Sequence, residues 1–298
     1  MRIATLLALI CTVACRPEGR MIAEAFDTQG HRGARGNRPE NTLEAFRFAV
    51  EHGMRTLELD LAVSSDGVLV VSHEPWFSDA ICAGAPAEDV SLHQMTVEEI
   101  QSYDCGSLRN PDYPYQQNAP AVKPTLAEVV DASDAYAVAL DRPLPRYNIE
   151  IKWEREYVPK YAPTAEAFAK TVVAFLRGRG LVYRVTVQSF ATEVLEQMRR
   201  QAPEVELAFL DAGASLIAGG QETEFSNLTF RPAIYSPYHL TLRPGRIEAL
   251  HELGVRVVPW TVNDTSRMRT LMRWGVDGII SDYPERLRSV VEDVRPAS

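Results

Sequence analysis

Thr56-Leu57-Glu58-Leu59-Asp60-Leu61-Ala62 is the stretch on which the fold turns. Alternate residues of a β-strand share a face, so the leucines lie on one side and Glu58 and Asp60 on the other. An exposed edge strand would solvate those carboxylates. A strand of a closed eight-stranded barrel, which has no edge, would aim them into the interior. Burying two unpaired carboxylates costs several kcal/mol each, and a divalent cation offsets that cost. Glu58 and Asp60 are therefore candidate metal ligands.

The surrounding chain carries the same signal. His31-Arg32-Gly33 follows the apolar run Phe26–Gln29, and Pro39-Glu40-Asn41-Thr42 precedes a helical pattern over residues 41–52. After the acidic strand, Asp66-Gly67 turns the chain into Val68–Val71, a hairpin that returns Ser72-His73-Glu74 to the same end. Histidines move protons near neutral pH, arginine grips phosphate oxygens with a planar fork, and carboxylates hold hard cations. Together these groups suit phosphodiester hydrolysis on a divalent metal. Glu74 beside His73 is placed to orient the imidazole. Gly33 would let the backbone approach a ligand closely. Arg35 and Arg38 read as solvated surface charges.

Eight short β-rich runs recur: 26–29, 56–62, 147–152, 185–188, 205–209, 233–236, 255–260 and 278–281. Helix-period stretches over 164–179, 192–201, 246–253 and 266–274 separate the later ones. Strand then helix, repeated about eight times, predicts an α/β fold, the (β/α)8 TIM barrel, with an open doubly wound sheet as the other arrangement. No Gly-x-Gly-x-x-Gly turn supports the dinucleotide-binding form of that sheet. Residues 76–124, rich in Pro, Gly, Asn and Tyr, form an insertion after the second strand region. It is expected to carry a short helix near 97–103 and to lie over the barrel mouth.

The third strand repeats the acidic device: Asn148-Ile149-Glu150-Ile151-Lys152 puts Glu150 and Lys152 on one face. Glu150 completes a three-carboxylate set, and Lys152 is placed for phosphate. Gln188 and Trp260, ending the fourth and seventh strands, are candidate substrate contacts, with core packing the alternative for Trp260. The aspartates of Asp277-Gly278…Ser281-Asp282 read equally as caps and turn residues. His52, His93, His239 and His251 read as surface or packing histidines.

The chain has 298 residues with 46% hydrophobic and 24% charged content and a formal charge of -9. That suits one globular domain over residues 22–298. An acidic chain without a basic run argues against a nucleic-acid partner. Residues 1–15 read as a leader: Met1-Arg2, an apolar run over 3–14 too short to span a bilayer, then Cys15. Thr12-Val13-Ala14-Cys15 resembles a lipobox, making Cys15 a possible lipid anchor, with soluble export after ordinary cleavage as the other outcome. Loss of residues 1–14 removes only Arg2 and takes the charge from -9 to -10. Export to the periplasm, or as a membrane-anchored lipoprotein, is expected. Cys82 and Cys105 remain in the mature chain. They either form a disulfide stapling the insertion or stay as free, partly buried thiols.

As a set these motifs resemble the glycerophosphodiester phosphodiesterase family, in its exported bacterial branch. The carriers are His31-Arg32-Gly33, Pro39 to Thr42, Glu58-Leu59-Asp60, Ser72-His73, Glu150-Ile151-Lys152, Gln188-Ser189-Phe190, Trp260-Thr261-Val262-Asn263 and Asp277-Gly278…Ser281-Asp282-Tyr283-Pro284. The insertion with Asp104-Cys105-Gly106 carries the resemblance to the exported branch. The resemblance implies a TIM barrel hydrolysing glycerophosphodiesters to glycerol 3-phosphate and an alcohol. It implies His31 and His73 as acid/base pair, and Glu58, Asp60 and Glu150 as ligands of one cation, Mg²⁺ or Ca²⁺. It also implies Arg32 and Lys152 as phosphate contacts, and Glu40 as support. The chain departs from the family at Glu74, where aspartate is usual. Two other readings share the pattern. A phospholipase-type barrel would use an apolar lip such as Tyr113 and Tyr115. A catalytically silent surface-binding barrel would have little reason to bury an acidic cluster. No oligomeric state is implied.

Overall fold

The computed structural model describes residues 26–85, 90–213, 225 and 227–294. The leader, Cys15 and the first residues of the assigned domain lie outside them. Among the described residues nine strands form one sheet: β1 (Asp27–Gly30), β2 (Thr56–Val63), β3 (Leu69–Val71), β4 (Arg146–Ile151), β5 (Val185–Ser189), β6 (Glu206–Asp211), β7 (Ile234–Pro237), β8 (Arg256–Val257) and β9 (Gly278–Ser281). Eight pair in parallel in the order β8-β7-β6-β5-β4-β2-β1-β9. The seam between β8 and β9 is bridged by Asp277 N–H to Val257 O, Ile280 N–H to Pro259 O and Val262 N–H to Ile280 O, at 2.9, 3.0 and 2.9 Å. The result is a nearly closed (β/α)8 barrel. β3 is the exception, antiparallel to β2 as the Asp66-Gly67 turn implies, pairing Leu61 with Val71.

The pleat explains the layers. Leu57, Leu59, Leu61, Ile149, Ile151, Val185 and Val187 belong to the buried apolar core that the helices complete. Their neighbours Glu58, Asp60, Asn148, Glu150, Thr186 and Gln188 are buried polar residues on the opposite face, inside the barrel. The helix Leu43–Glu51 shows the logic of the outer layer. Thr42 caps it by accepting from Ala45 N–H, Phe46, Ala49 and Val50 are buried, and Gly53 (φ 70°) ends it in a left-handed turn.

Local differences have physical causes. The seventh expected strand shortens to Arg256–Val257, because Pro237 of β7 has no N–H to give to Val258 O, which accepts the Ser236 hydroxyl at 2.6 Å instead. The insertion helix is a single turn, Val97–Ile100. Two further helices, Leu126–Ala139 and Pro284–Val294, were not assigned from the sequence. The first is rich in Ala, with Asp131, Ser133 and Asp134 among them and apolar residues spread around it; its capping box of Thr125 and Glu128 was the available signal. The insertion has its own small core of Phe77, Cys82, Leu92, Ile100 and Cys105 beside Ala62 and Val70. Cys82 and Cys105 form a disulfide with Cα atoms 3.8 Å apart. Its far turn is clamped on the loop after β1: Gln116 Nε2 donates to the carbonyls of Arg35 and Arg38 at 2.6 and 3.0 Å.

Candidate active site

Parallel pairing sets Asp60 beside Glu150 and Glu150 beside Gln188 at one level of the barrel. Each of Glu58, Asp60 and Glu150 presents a carboxylate oxygen within 4.8 Å of the others. Glu58 and Asp60 are 1% exposed and Glu150 7%. Burial, then the charges of Asp60 and Glu150, push the Glu58 pKa well above the usual carboxylate range. Burial opposes the Asp60 charge too, but Arg32, His73 and Lys152 outweigh it and hold Asp60 ionised. Asp60 Oδ1 is buried without a hydrogen-bond partner. Three buried carboxylates with one orphaned oxygen fit a hard divalent cation, which takes oxygen ligands.

The loop after β1 is folded around this cluster. Arg32 (φ 48°) and Asn41 (φ 56°) adopt left-handed backbone, a conformation that costs non-glycine residues about 1–3 kcal/mol. Both serve the carboxylates: Arg32 N–H donates to Glu58 Oε2 at 2.7 Å, and Asn41 Nδ2 to Asp60 Oδ2 at 2.9 Å. Gly33 (φ 80°) has a different reason from the expected ligand approach. A Cβ there would meet the Ala45 backbone at 2.6 Å, so the turn needs glycine to sit on the helix. The Arg32 guanidinium is held by Glu40 at 2.8 Å and lies 3.4 Å from Asp60. Lys152 pairs with Glu150 at 2.8 Å and lies 3.8 Å from Asp60.

His31 and His73 line the same pocket, about 120 Å³ in volume, with Arg32, Arg35, Glu58, Glu150, Lys152 and Gln188. Burial lowers the His31 pKa to about 4 against the opposing charge of Asp282. His31 Nδ1 lies 2.7 Å from Asp282 Oδ1, and Nε2 lies 3.9 Å from Glu58. A neutral ring donating from Nδ1 to a carboxylate leaves Nε2 as a proton acceptor. His73 Nδ1 lies 2.6 Å from Glu74 Oε1. Burial works against the Glu74 charge, but the hydrogen bond and field of His73 win and lower its pKa to about 2.

Two residues, Arg35 and Asp282, differ from their sequence reading. Arg35 is not a solvated charge: it donates to Asp282 at 2.9 and 3.3 Å and lines the pocket. Asp282 is more than a turn residue, being the partner of His31. β1 pairs with β9 with Gly30 opposite Ser281, so the next residues on each chain meet. Barrel closure was the signal that could have found it. Gln188 uses both ends of its amide within the barrel, donating to Glu58 Oε1 at 3.0 Å and accepting from Asn148 Nδ2 at 3.0 Å. Trp260 forms an apolar wall with Phe190, ring centroids 5.5 Å apart, and donates from Nε1 to Ser236 O. Lys123, absent from the sequence reading, is 5% exposed and donates to Ser72 Oγ at 2.7 Å, next to His73.

Known proteins resemble this chain along most of its length. The profile described as the glycerophosphoryl diester phosphodiesterase family matches residues 31–286. The chain is 29% identical over 263 residues to a glycerophosphodiester phosphodiesterase of Caldanaerobacter subterraneus subsp. tengcongensis, covering 88% of this chain and 96% of the relative. It superposes on the crystal structure of a glycerophosphodiester phosphodiesterase from Agrobacterium tumefaciens with a TM-score of 0.65 at 25% identity, covering 89% and 99% of the two chains. An Oleispira antarctica phosphodiesterase solved with its product sn-glycerol-3-phosphate shares the fold, with a TM-score of 0.71 at 22% identity over 91% of this chain and 98% of that one.

Proposed function

The chain belongs to the glycerophosphoryl diester phosphodiesterase family, and from that premise we propose a metal-dependent hydrolysis of glycerophosphodiesters to glycerol 3-phosphate and an alcohol, with His31 and His73 as its acid–base pair. The enzyme class follows from the family and from relatives bearing that name. One observation carries the cation and the histidine roles: Glu58, Asp60 and Glu150 form a buried cluster in which Asp60 Oδ1 has no hydrogen-bond partner, and Glu58 and Glu150 line the same pocket as both histidines.

Glu58, Asp60 and Glu150 would hold one divalent cation, Mg²⁺ or Ca²⁺. A cation bound there supplies Lewis-acid charge for the phosphate oxygens. Arg32 and Lys152, tethered by Glu40 and Glu150, add fixed positive charge around the same phosphate. His31 is neutral and exposes Nε2, which suits it to take the proton of the attacking hydroxyl. His73, held at Nδ1 by Glu74, gives a proton to the leaving alcohol. Gln188 fixes the Glu58 carboxylate. Trp260 and Phe190 face the carbon side of the glycerol group.

The leader reading of residues 1–15 and the Cys82–Cys105 bond both favour an exported enzyme, soluble or anchored at Cys15. Mass analysis of the mature N-terminus distinguishes those forms. For the reaction, a panel of glycerophosphodiesters is assayed across a metal series with product analysis. Glycerol 3-phosphate is the expected product; release of phosphatidic acid from intact phospholipid instead would support the phospholipase reading.

A further inference from the structure

Asn263 lies past the end of β8, across the barrel seam from Ser281 and Asp282. Its Nδ2 donates to Asp282 Oδ2 at 2.7 Å. Its Oδ1 accepts the Asp282 N–H at 3.0 Å and the Ser281 hydroxyl at 3.3 Å. One amide thus grips both the backbone and the side chain of the residue that faces His31. Its own backbone is fixed by the neighbouring Val262 N–H bond to Ile280 O at 2.9 Å.

Asp282 is 1% exposed. Around its two oxygens converge His31 Nδ1 at 2.7 Å, Arg35 Nε at 2.9 Å and Nη2 at 3.3 Å, and Asn263 Nδ2 at 2.7 Å. The side chain of an aspartate turns about two torsions. Arg35 reaches both oxygens through one planar fork and leaves rotation with that fork open. Asn263 approaches from across the barrel seam and closes it. The direction of the carboxylate sets which imidazole nitrogen carries the proton and where Nε2 points.

We propose that Asn263 is a positioning residue for His31, acting through the Asp282 carboxylate. The inference rests on the reading of His31 as a proton-transfer residue. It differs from a purely structural role, in which Asn263 would only tie the barrel seam.

The test uses the full-length, metal-loaded enzyme and a glycerophosphodiester with an ethanolamine head group. Asn263→Ala and the isosteric Asn263→Asp are each made in the wild type and in a His31→Ala background. Asn263→Asp keeps the volume and the acceptors but replaces the Nδ2 donor with charge facing Asp282, so it reads the contact even if Asn263→Ala folds poorly. The expected result is a fall in kcat of about 10- to 100-fold with KM within about twofold, the scale seen when a ligand-orienting partner is lost. In the His31→Ala background either change should cause no further loss, because the two residues act as one unit. Unchanged kcat, a loss confined to KM, or the same fold-loss in both backgrounds would overturn the proposal. Unchanged activity in His31→Ala alone would instead overturn the acid–base reading on which it stands.

Discussion

Glu58→Gln removes one charge from the acidic cluster at nearly constant volume, and its effect can be worked out in each metal state. In the wild type, Oε2 accepts Arg32 N–H and Oε1 accepts Gln188 Nε2. An amide has one acceptor and one donor end, so one of these faces becomes donor against donor. Leaving a buried donor unmatched costs about 1–3 kcal/mol. In the metal-free protein the compensation is large. Burial and the charges of Asp60 and Glu150 already favour the protonated, neutral Glu58 that glutamine imitates. Metal-free stability should therefore drop by no more than that mismatch. The metal-loaded state differs. A cation at about 100 times its Kd stabilises the fold by about 2.7 kcal/mol. In a domain of this size that is roughly 5–10 °C in Tm. Thermal scans in chelator and in saturating Mg²⁺ or Ca²⁺ should show that increment in wild type and little of it in Glu58→Gln, whose activity falls at least about 10²-fold. An equal increment in both proteins, with activity retained, would refute the assignment of Glu58 as a ligand.

The pH dependence of that increment has a definite sign. A folded carboxylate with a raised pKa binds its proton where the unfolded chain has lost it, so the metal-free fold loses stability as pH rises through that window. Cation binding expels the proton, and the metal-induced rise in Tm should grow as pH rises from the ordinary carboxylate range through the raised pKa of Glu58; a flat or inverse trend would contradict it. His31→Ala and His73→Ala should each lower turnover on a natural glycerophosphodiester at least about 10²-fold. On a nitrophenyl phosphodiester, whose leaving group needs no proton, His73→Ala should recover more than His31→Ala; the reverse order exchanges their roles. Cys82 and Cys105 are separated by 23 residues, and removing the bridge should destabilise by about 3 kcal/mol on the loop-closure account. Hydrogen exchange should then quicken in the insertion around Phe77 and Leu92 more than in β2 and β4, and uniform loosening would show that the staple supports the whole barrel.

The barrel and the acidic cluster were legible because each is a local pattern. Leu57, Leu59 and Leu61 alternating with Glu58 and Asp60 reveal the two faces of β2 within seven residues, and Glu150 repeats the device in β4. Six helices and the His73 hairpin announced themselves by periodicity or by turn residues. The pairings that needed closure were hidden. Asp282 and His31 lie 251 residues apart, and only the contact of β9 with β1 joins them. Arg35 looked like one charge among several in a polar loop, yet Asp282 and the ring of Tyr113 in the insertion draw it inward, the latter 5.0 Å from its guanidinium. Lys123 sits in an irregular segment, where no periodicity marks which side is buried. Gln188 lines the pocket, but its engagement by Glu58 and Asn148 depends on neighbours in three strands. Long-range closure decides how His31 is held, whereas strand alternation decides where the carboxylates point.

The most direct test of the account is release of glycerol 3-phosphate by chelator-stripped enzyme as Mg²⁺ or Ca²⁺ is returned. The account predicts negligible release from the stripped wild type, a saturable recovery as the cation is added, and no recovery in Glu58→Gln, Asp60→Asn or Glu150→Gln at the same concentrations. Undiminished release in chelator, or full recovery in those variants, would contradict it.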